Sequence, residues 1–514
     1  MLTIPTGITC LLGSSVAVDV CVLSMTASQI LVQPHTEVRY TADECTSLQH
    51  CFPKLVKTRL MQTIAAQPST HKLPEGPSSS GLWQMLQWIG RPLGFMEACR
   101  QRYGDLFTLQ LGQLGQIVFC SNPVGIEEIL TADPKKMDAG CNNSVLLPLL
   151  GNASVILLDG ESHQRQRQLL MPPFHGERMR AYGSSITQIT KDIASPWQVN
   201  HPFDVREAMQ AISLNVIVKT VFGVSNPERY QALQALLPQF LDLTGSPAGA
   251  SLLFLRGLQK DWGAWSPWGR FLRVRSQLDH LLYQQMDEHR SQSEMGSDIL
   301  SLMLAATDEV GNPMTDIELR DELVTLLLAG HETTASALTW ALYWIHFLPD
   351  VKEKLIAELA TADLNDAKSI QRLPYLNAVC SETLRIYPIA PITSPRTTRM
   401  PLSLMGHNLP VGTTVAPCIY LTHRSPELYP NPQAFQPERF LERQFSPYEY
   451  LPFGGSNRRC LGMTFALFEM KLVLSTLLTG YQFQLEQPQP LKPVRRGVTL
   501  APPSHFRMIL TQRR

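Results

Sequence analysis

A glycine-rich loop near the carboxyl end carries the cysteine best placed to bind a metal. The loop runs from Phe453 to Gly462, contains Cys460, and is followed by a helix-forming apolar run. Cys460 is therefore expected where a helix begins, with unpaired backbone N–H groups that stabilise a thiolate. Zinc sites and iron–sulfur clusters need several nitrogen or sulfur ligands at short spacings, which this cysteine lacks. A single thiolate suits a haem, and the alternative is a buried structural cysteine in a turn.

This loop resembles the haem-binding signature of the cytochrome P450 superfamily of haem-thiolate monooxygenases. Phe453 stands seven residues before the cysteine, Arg458 two before it and Gly462 two after it. The resemblance implies haem b with the Cys460 thiolate as axial ligand, and cofactor contacts from Phe453 and Arg458. One position departs from the family pattern, because Ser456 stands where the family usually has glycine. If that position needs a positive φ, a serine there costs about 1–3 kcal/mol unless its surroundings hold it.

A long helix is the clearest element predicted by local rules. Thr315 and Glu318 have capping-box spacing, and no proline follows until Pro349. The stretch predicts about 32 helical residues with apolar side chains on every face, which is typical of a helix buried through a large domain. In its centre, Ala329 to Thr334 contains a glycine and two threonines, which weaken a helix and predict a local bulge.

The centre of this helix resembles the acid–alcohol motif of the same family. A buried carboxylic acid beside a hydroxyl is costly without a purpose. The resemblance makes Glu332 and Thr333 the catalytic pair that relays protons during oxygen activation, and it makes Gly330 the residue that leaves room for O2. His331 is expected to be a packed or surface histidine rather than an iron ligand.

Basic residues in two other segments are candidates for binding the haem carboxylates. His163 and Arg167 lie four residues apart and so share one helix face, although an ordinary solvated basic helix is the alternative. Their segment resembles the family helix that binds a haem propionate. Arg396 is the candidate for the second propionate, with Arg399 as the second choice. Guanidinium groups suit carboxylates through paired N–H donors.

A structural triad is implied by two further segments. Glu382 and Arg385 stand three apart on a predicted helix, as many surface ion pairs do. The downstream stretch around Arg439 resembles the family's proline–arginine segment, in which the arginine joins the helical pair. The resemblance therefore makes Glu382, Arg385 and Arg439 a buried triad that holds the haem-side core.

Composition excludes several classes of protein. The 514 residues contain 44 basic and 44 acidic side chains, so electrostatics gives no reason to expect a nucleic-acid partner. The ten cysteines have no regular spacing and predict reduced, cytosolic-type thiols. Residues 1–72 read as a poorly defined extension and leader, and the expectation is that function does not depend on them. The apolar run from Ile8 to Val32 is broken by polar residues and has no preceding Lys or Arg, so a membrane anchor is the less supported alternative to a soluble cytoplasmic protein.

The expected fold is mainly α with small β-sheets, in one large domain over residues 73–514. Length alone allows about two to four domains, and the resemblance implies one. The stretch from Leu82 to Tyr103 has helical spacing, and Asp105 to Leu111 with Gln116 to Cys120 predicts a strand pair. Among subfamilies the sequence looks most like bacterial, cyanobacterial-type members.

The implied activity is insertion of one oxygen atom of O2 into a lipophilic substrate of the fatty-acid, alkane or terpene class. Three apolar stretches support this substrate class: Val145 to Leu150 as a roof, Leu252 to Leu255 as a lid, and Ile389 to Ile392 as a wall. No stretch resembles a flavin or iron–sulfur domain, which implies a separate ferredoxin-type electron donor. It is expected to dock near Arg165, Arg458 and Arg459. The alternatives are a haem-thiolate isomerase or peroxygenase, and a non-catalytic haem-based binding or sensor protein.

Overall fold

The computed structural model describes residues 72–174, 178–224, 226–245, 259–291 and 296–514. The predicted lid over Leu252 to Leu255 and the amino-terminal segment up to residue 71 lie outside these described residues. The predictions made for them therefore stay predictions.

The amino-terminal part pairs two helices with the first strands of a sheet. The predicted strand pair is confirmed, with Leu106 opposite Cys120 in an antiparallel ladder. The predicted helical stretch before it is two helices, since Arg91 ends the first and Pro92 begins the second. In chain order the elements are α1 (Gly81–Gly90), α2 (Pro92–Tyr103), β1 (Leu106–Gln110), β2 (Gln116–Cys120), α3 (Pro123–Thr131), β3 (Met137–Asp138), a 3-10 helix (Gly140–Leu146) and α4 (Leu147–Leu150).

The middle of the chain is helical and supplies the neighbours of the central helix. Asp204 is the N-cap of the buried helix that begins at Val205, and it accepts a hydrogen bond from the Glu207 backbone N–H. The elements are α5 (Gly160–Leu170), α6 (Arg178–Ala194), β4 (Pro202–Asp204), α7 (Val205–Thr220), α8 (Pro227–Gly245), α9 (Pro267–Ser291) and α10 (Ile299–Ala305).

The long buried helix is α11, Asp316–Phe347, whose 32 residues match the prediction. Thr315 is its N-cap, and the reciprocal hydrogen bonds between Thr315 and Glu318 form the expected capping box. The helix packs along α7 and α17 (Met463–Gly480). The prediction of a bulge in its centre is wrong, because the α-helical backbone is continuous from end to end.

The carboxyl-terminal part completes four small sheets. The largest has the strand order β1-β2-β8-β5-β3, in which β2 and β8 are parallel and the other pairs antiparallel. The remaining elements are α12 (Pro349–Leu359), α13 (Ala367–Gln371), α14 (Pro374–Ile386), β5 (Arg396–Thr398), β6 (Leu402–Leu404), β7 (His407–Leu409), β8 (Thr414–Pro417), α15 (Ile419–Thr422), α16 (Arg439–Glu442), β9 (Tyr481–Leu485), β10 (Val494–Arg496), β11 (Thr499–Ala501) and β12 (Arg507–Arg513).

The main hydrophobic core surrounds α11 and α17. Trp340, Tyr343 and Phe468 are fully buried in it. The expected fold class, mainly α with small β-sheets, is confirmed. Of the helices in the described ranges, α17 alone is long and apolar enough to cross a bilayer, and 56% of that stretch is buried inside the protein.

Candidate active site

The cysteine loop is closed by its own backbone. The Cys460 N–H donates to the Phe453 carbonyl at 2.9 Å, which joins the two ends of the turn. Between them, Ser456–Arg458 form a 3-10 turn. Helix α17 begins at Met463 with Gly462 as N-cap, so the cysteine lies two residues before the cap. The expectation that Cys460 precedes a helix start is confirmed.

Ser456 adopts the backbone conformation that the family's glycine would suit. Its φ is +60°, and Gly454 in the same loop has a φ of +67°. A serine in the left-handed region is strained, since its Cβ crowds the backbone. The Ser456 carbonyl accepts from the Arg459 N–H at 3.1 Å, which helps to hold the turn.

The Cys460 thiol lies in a recess. Burial raises its pKa, while the Gly462 backbone N–H and the positive charges of Arg167 and Arg459 lower it. The helix-start donors therefore favour a thiolate as expected, but burial outweighs them. The side chain is nevertheless accessible to solvent, so the sulfur faces an internal cleft rather than close-packed core. A metal ion bound to such a sulfur deprotonates the thiol outright.

Four basic side chains, two from α5, one from β5 and one from the cysteine loop itself, lie close to one another. His163 on α5 is buried, and its pKa is lowered to about 3 by burial and by the charges of Arg458, Arg167 and Arg396. The imidazole is therefore neutral at physiological pH and offers an N–H donor. Burial also lowers the pKa of Arg167, one helical turn further along α5.

Arg396 is the better placed of the two arginines proposed for the second propionate. It is buried, and its pKa is lowered to about 10 by burial and by Arg458. It donates to the Gly455 carbonyl at 3.2 Å, while its Nε has no hydrogen-bond partner in the part of the chain that the structure describes. Arg399 instead pairs with Asp138 at 2.6 Å and is half exposed.

This donor set fits an anionic cofactor. Neither Arg167 nor Arg396 is paired with a carboxylate among the described residues, and burying positive charge without a counter-ion is costly. A haem offers two carboxylates for the basic groups and an iron for the Cys460 sulfur. The residues present therefore fit a haem.

Helix α11 has one solvent-accessible turn, which lies in its centre. Leu326, Ala329 and Thr333 follow one another at helical spacing on one face. Ala329 is exposed although the helix is buried on both sides of this turn. The Thr333 hydroxyl donates to the Ala329 carbonyl. The sequence analysis did not identify Ala329 as a residue of the site. Its position one helical turn before Thr333 is the signal that could have done so.

The Glu332 carboxylate is held by three residues that the sequence analysis did not find. Arg206 Nη2 donates to Oε1 at 2.6 Å, and Gln210 Nε2 donates to Oε2 at 2.6 Å. Arg496 Nε lies 3.3 Å from Oε1. Arg206 and Gln210 are four residues apart on α7, so they form one binding face. A basic residue and an amide at that spacing are too common in sequences to signal a site.

Gly330 and His331 lie between Ala329 and Glu332, and both pack against other parts of the protein. A Cβ added at Gly330 would lie 3.1 Å from Ile217 Cδ1, so this glycine permits close contact between α11 and α7. Its role in leaving room for O2 stays a prediction. His331 is buried, in agreement with the expectation of a packed histidine.

The three members of the expected triad lie together. Arg385 binds Glu382 through Nε–Oε2 at 2.6 Å and Nη2–Oε1 at 2.8 Å, and Arg439 Nε reaches Glu382 Oε1 at 3.1 Å. All three side chains are buried. Arg385 also donates to the His423 carbonyl at 2.8 Å, which ties α14 to the end of α15.

Two of the three arginines expected at the donor-docking face do not offer a free charge. Arg165 pairs with Asp308 and Glu318, each at 2.7 Å. Arg458 is largely buried and pairs with Asp159 at 2.6 Å. Arg459 is exposed beside the cysteine loop. The charges of Arg165 and Arg458 are balanced within the protein, and the docking of an electron donor near these three arginines stays a prediction.

Comparison with known proteins defines the class. Residues 74–509 match the family model described as Cytochrome P450. A protein named cytochrome P450 135B1 from Mycobacterium tuberculosis is 36% identical over 440 residues, covering 84% of this chain and 90% of that protein. Cytochrome P450 135A1 from the same species is 32% identical over 455 residues, covering 87% of this chain and 98% of that protein.

Two solved structures of cytochromes P450 are similar to this chain in fold. A retinoic acid-bound cyanobacterial CYP120A1 has a TM-score of 0.75 and 26% identity, covering 86% of this chain and 100% of that one. The haem domain of cytochrome P450DA has a TM-score of 0.72 and 23% identity, covering 86% and 98% respectively, and shows the same fold.

The chain belongs to the cytochrome P450 family, whose members are haem-thiolate monooxygenases. In this family the cofactor is haem with a cysteine thiolate as axial ligand, and it supplies the activation of O2 once electrons arrive. Redox partners, O2 and hydrophobic substrates are general features of the family.

Proposed function

We propose that this P450 oxygenates a lipophilic substrate of the fatty-acid, alkane or terpene class. The observation that carries the proposal is the solvent-accessible turn in the centre of α11, where Leu326 and Ala329 precede the hydroxyl of Thr333, and we place this turn against the cleft that holds Cys460. An apolar ligand gains about 25 cal/mol for each Å² of apolar surface that it buries against such a wall, without any polar anchor.

The predicted wall after α14 supports the same substrate class. Ile389, Ala390 and Ile392 are half-buried, and each packs against a different hydrophobic cluster of the protein. The Ile389 carbonyl accepts from the Leu500 N–H of β11 at 2.8 Å, which fixes the segment. The cyanobacterial relative described with retinoic acid bound shows that a related chain takes a lipophilic ligand.

The polar groups near the cleft are assigned to proton handling rather than to substrate binding. Thr333 Oγ1 holds its proton toward the Ala329 carbonyl and is half-buried, so it can exchange that bond for one to a cleft molecule. Glu332 is held by Arg206 and Gln210, which fixes its carboxylate next to the threonine in the helix. Cys460 is the metal ligand, and His163, Arg167 and Arg396 bind the haem carboxylates.

A separate ferredoxin-type protein is the proposed electron donor. Arg459 is exposed next to Cys460 and lowers the pKa of that thiol, so positive charge lies at the surface close to the metal ligand. An acidic donor protein would be attracted there, and the attraction would weaken with salt.

The test is a titration of the ferric holoprotein with fatty acids, alkanes, terpenes and small polar aromatics, followed by product analysis with a ferredoxin and its reductase. Binding is read from the shift of the haem spectrum from low to high spin. We expect shifts and oxygenated products with the lipophilic compounds, at several neighbouring carbons of a flexible chain. Productive binding confined to the polar aromatics would contradict the proposal.

A further inference from the structure

Asp159 stands at an N-cap but does not cap its own helix. It precedes Gly160 of α5 with φ −127° and ψ 167°, and it makes no side-chain hydrogen bond to that helix. An aspartate at this position normally accepts from the second or third N–H of the helix it starts. The carboxylate of Asp159 is therefore committed elsewhere.

Its first set of partners is a run of three backbone N–H groups. Ala139 and Gly140 donate to Oδ1 at 2.8 Å each, and Cys141 donates to Oδ2 at 3.0 Å. Gly140 must be glycine here, because a Cβ would lie 2.3 Å from the Leu157 carbonyl oxygen. Three successive N–H groups form a concave anion site, and this one is filled by a side chain of the same protein.

Its other partner is Arg458 of the cysteine loop. Arg458 Nη2 donates to Asp159 Oδ1 at 2.6 Å and to the Leu158 carbonyl at 2.6 Å, and Nη1 donates to the Val155 carbonyl at 3.2 Å. Both charged side chains are mostly buried, with exposures of 11% and 18%. Asp159 is thus the carboxylate paired with the basic cluster around Cys460.

The loop that carries Asp159 is also fixed from the opposite side by α11. Asp321 Oδ2 accepts from the Ala153 N–H at 2.9 Å, and Glu322 Oε1 accepts from the Val155 N–H at 2.6 Å. Since both ends of the loop are held, the position of Arg458 is set by the fold and does not depend on its contact with the cofactor.

We propose that Asp159 is a positioning residue for the haem. Its carboxylate fixes Arg458 and offsets the mutual repulsion of Arg458, Arg396 and Arg167, so that the basic cluster is already arranged when it meets the haem carboxylates. Without this charge, Arg458 is repelled by its neighbours and the cluster loses its arrangement before haem binds.

The matched test compares Asp159→Asn with Asp138→Asn in the full-length holoprotein. Both changes remove one negative charge that acts on Arg458, but only Asp159 hydrogen-bonds to Arg458, whereas Asp138 pairs with the half-exposed Arg399. The rate of haem transfer to excess apomyoglobin is measured, together with the reduction potential of the haem. For Asp159→Asn we expect release about tenfold faster or more, as loss of a buried charge-assisted hydrogen bond implies. We also expect a higher potential, because the field at the haem becomes more positive.

Two further variants separate the proposed role from a purely structural one. Asp159→Glu keeps the charge and is expected to restore slow haem release, even where the backbone contacts are imperfect. In an Arg458→Gln background, Asp159→Asn is expected to add little. Equal haem release from Asp159→Asn and Asp138→Asn, failure of Asp159→Glu to rescue, or fully additive effects in the double variant would each overturn the proposal.

Discussion

Arg385 and Glu382 face each other across one turn of α14 with two parallel hydrogen bonds, and both side chains have no exposed surface. Arg439 adds a third charge-assisted bond to the same carboxylate. Two positive charges and one negative charge are therefore buried together, and backbone carbonyls of His423, Pro432 and Ala434 satisfy the remaining guanidinium hydrogens. Such a cluster tolerates the loss of a member poorly.

Replacing Glu382 with glutamine should lower the free energy of unfolding by about 3–5 kcal/mol, because two buried guanidinium groups lose their counter-ion. Urea unfolding followed by circular dichroism measures the change. Glu449→Gln is the matched control, since Glu449 pairs with the half-exposed Arg443. The two variants having the same midpoint would show that the triad is not needed for stability.

Cys460→Ser should abolish the thiolate-type Soret band of the ferrous–carbonyl complex, because a hydroxyl does not supply the sulfur ligand. The fold should persist, since the loop is closed by the backbone bond to Phe453 and not by the side chain. Cys141→Ser, at a half-buried cysteine outside the loop, should keep the band. Survival of the thiolate-type band in Cys460→Ser would refute the assignment of the ligand.

Ser456→Gly should stabilise the protein by about 0.5–1 kcal/mol, because glycine adopts the φ of +60° without strain. The gain is smaller than the strain that is relieved, since glycine also makes the unfolded chain more flexible. Haem retention should change little, as the contacts of the loop with its neighbours stay the same. Thermal unfolding of the holoprotein and haem-transfer rates measure the two effects. A large gain in haem retention would mean that the serine had weakened cofactor binding.

Thr333→Ala should leave haem and substrate binding intact but divert electrons into hydrogen peroxide, because the cleft loses its hydroxyl proton donor. The measurement is product and peroxide formed per reducing equivalent. Thr339→Ala is a close control, since Thr339 makes the same bond to a carbonyl four residues earlier but is fully buried. Unchanged product yield in Thr333→Ala would remove this residue from the mechanism.

Local signals predicted the elements that carry the site. The bounds of α11 followed from its capping box and from Pro349, and the first strand pair followed from two apolar stretches around Gly112 and Gly115. These features depend on neighbours within a few residues, so the sequence contains them directly. The cysteine loop was likewise recognisable because its residues are contiguous.

The partners of these elements could not be predicted in the same way. Glu332 is held by Arg206 and Arg496, which come from distant segments that only the folded chain brings together. Asp159 reads as an ordinary N-cap, since its binding to residues 139–141 and to Arg458 depends on the path of two loops. The predicted bulge in α11 failed because tertiary packing outweighed the weak helix propensities of the central residues.

Glu469 on α17 gives the protein a pH dependence that can be predicted in sign. Its side chain is fully buried, Oε1 has no hydrogen-bond partner, and burial raises its pKa from the ordinary 4.5 to about 8, with only the Ser213 hydroxyl opposing the shift. Glu322 on α11 has a similar shift. Burial raises its pKa to about 8, although the hydrogen bond from the Val155 N–H lowers it. Both carboxyls therefore keep their protons in the folded protein at neutral pH.

Between about pH 4.5 and pH 8 the unfolded chain has released the Glu469 proton and the folded chain has not, so the free energy of unfolding falls as pH rises through this window. Glu469→Gln should remove the part of this decline that comes from Glu469, because the amide is neutral at every pH, and the part that comes from Glu322 stays in both proteins. The variant should gain about 2–4 kcal/mol relative to wild type on going from pH 5 to pH 8, at about 1.4 kcal/mol for each pH unit of the window. Buried histidines such as His163 titrate equally in both proteins and cancel in the difference. Urea unfolding at several pH values measures it, with the exposed Glu353→Gln as control. A difference between Glu469→Gln and wild type that stays constant across the window would show that Glu469 is ionised in the folded protein.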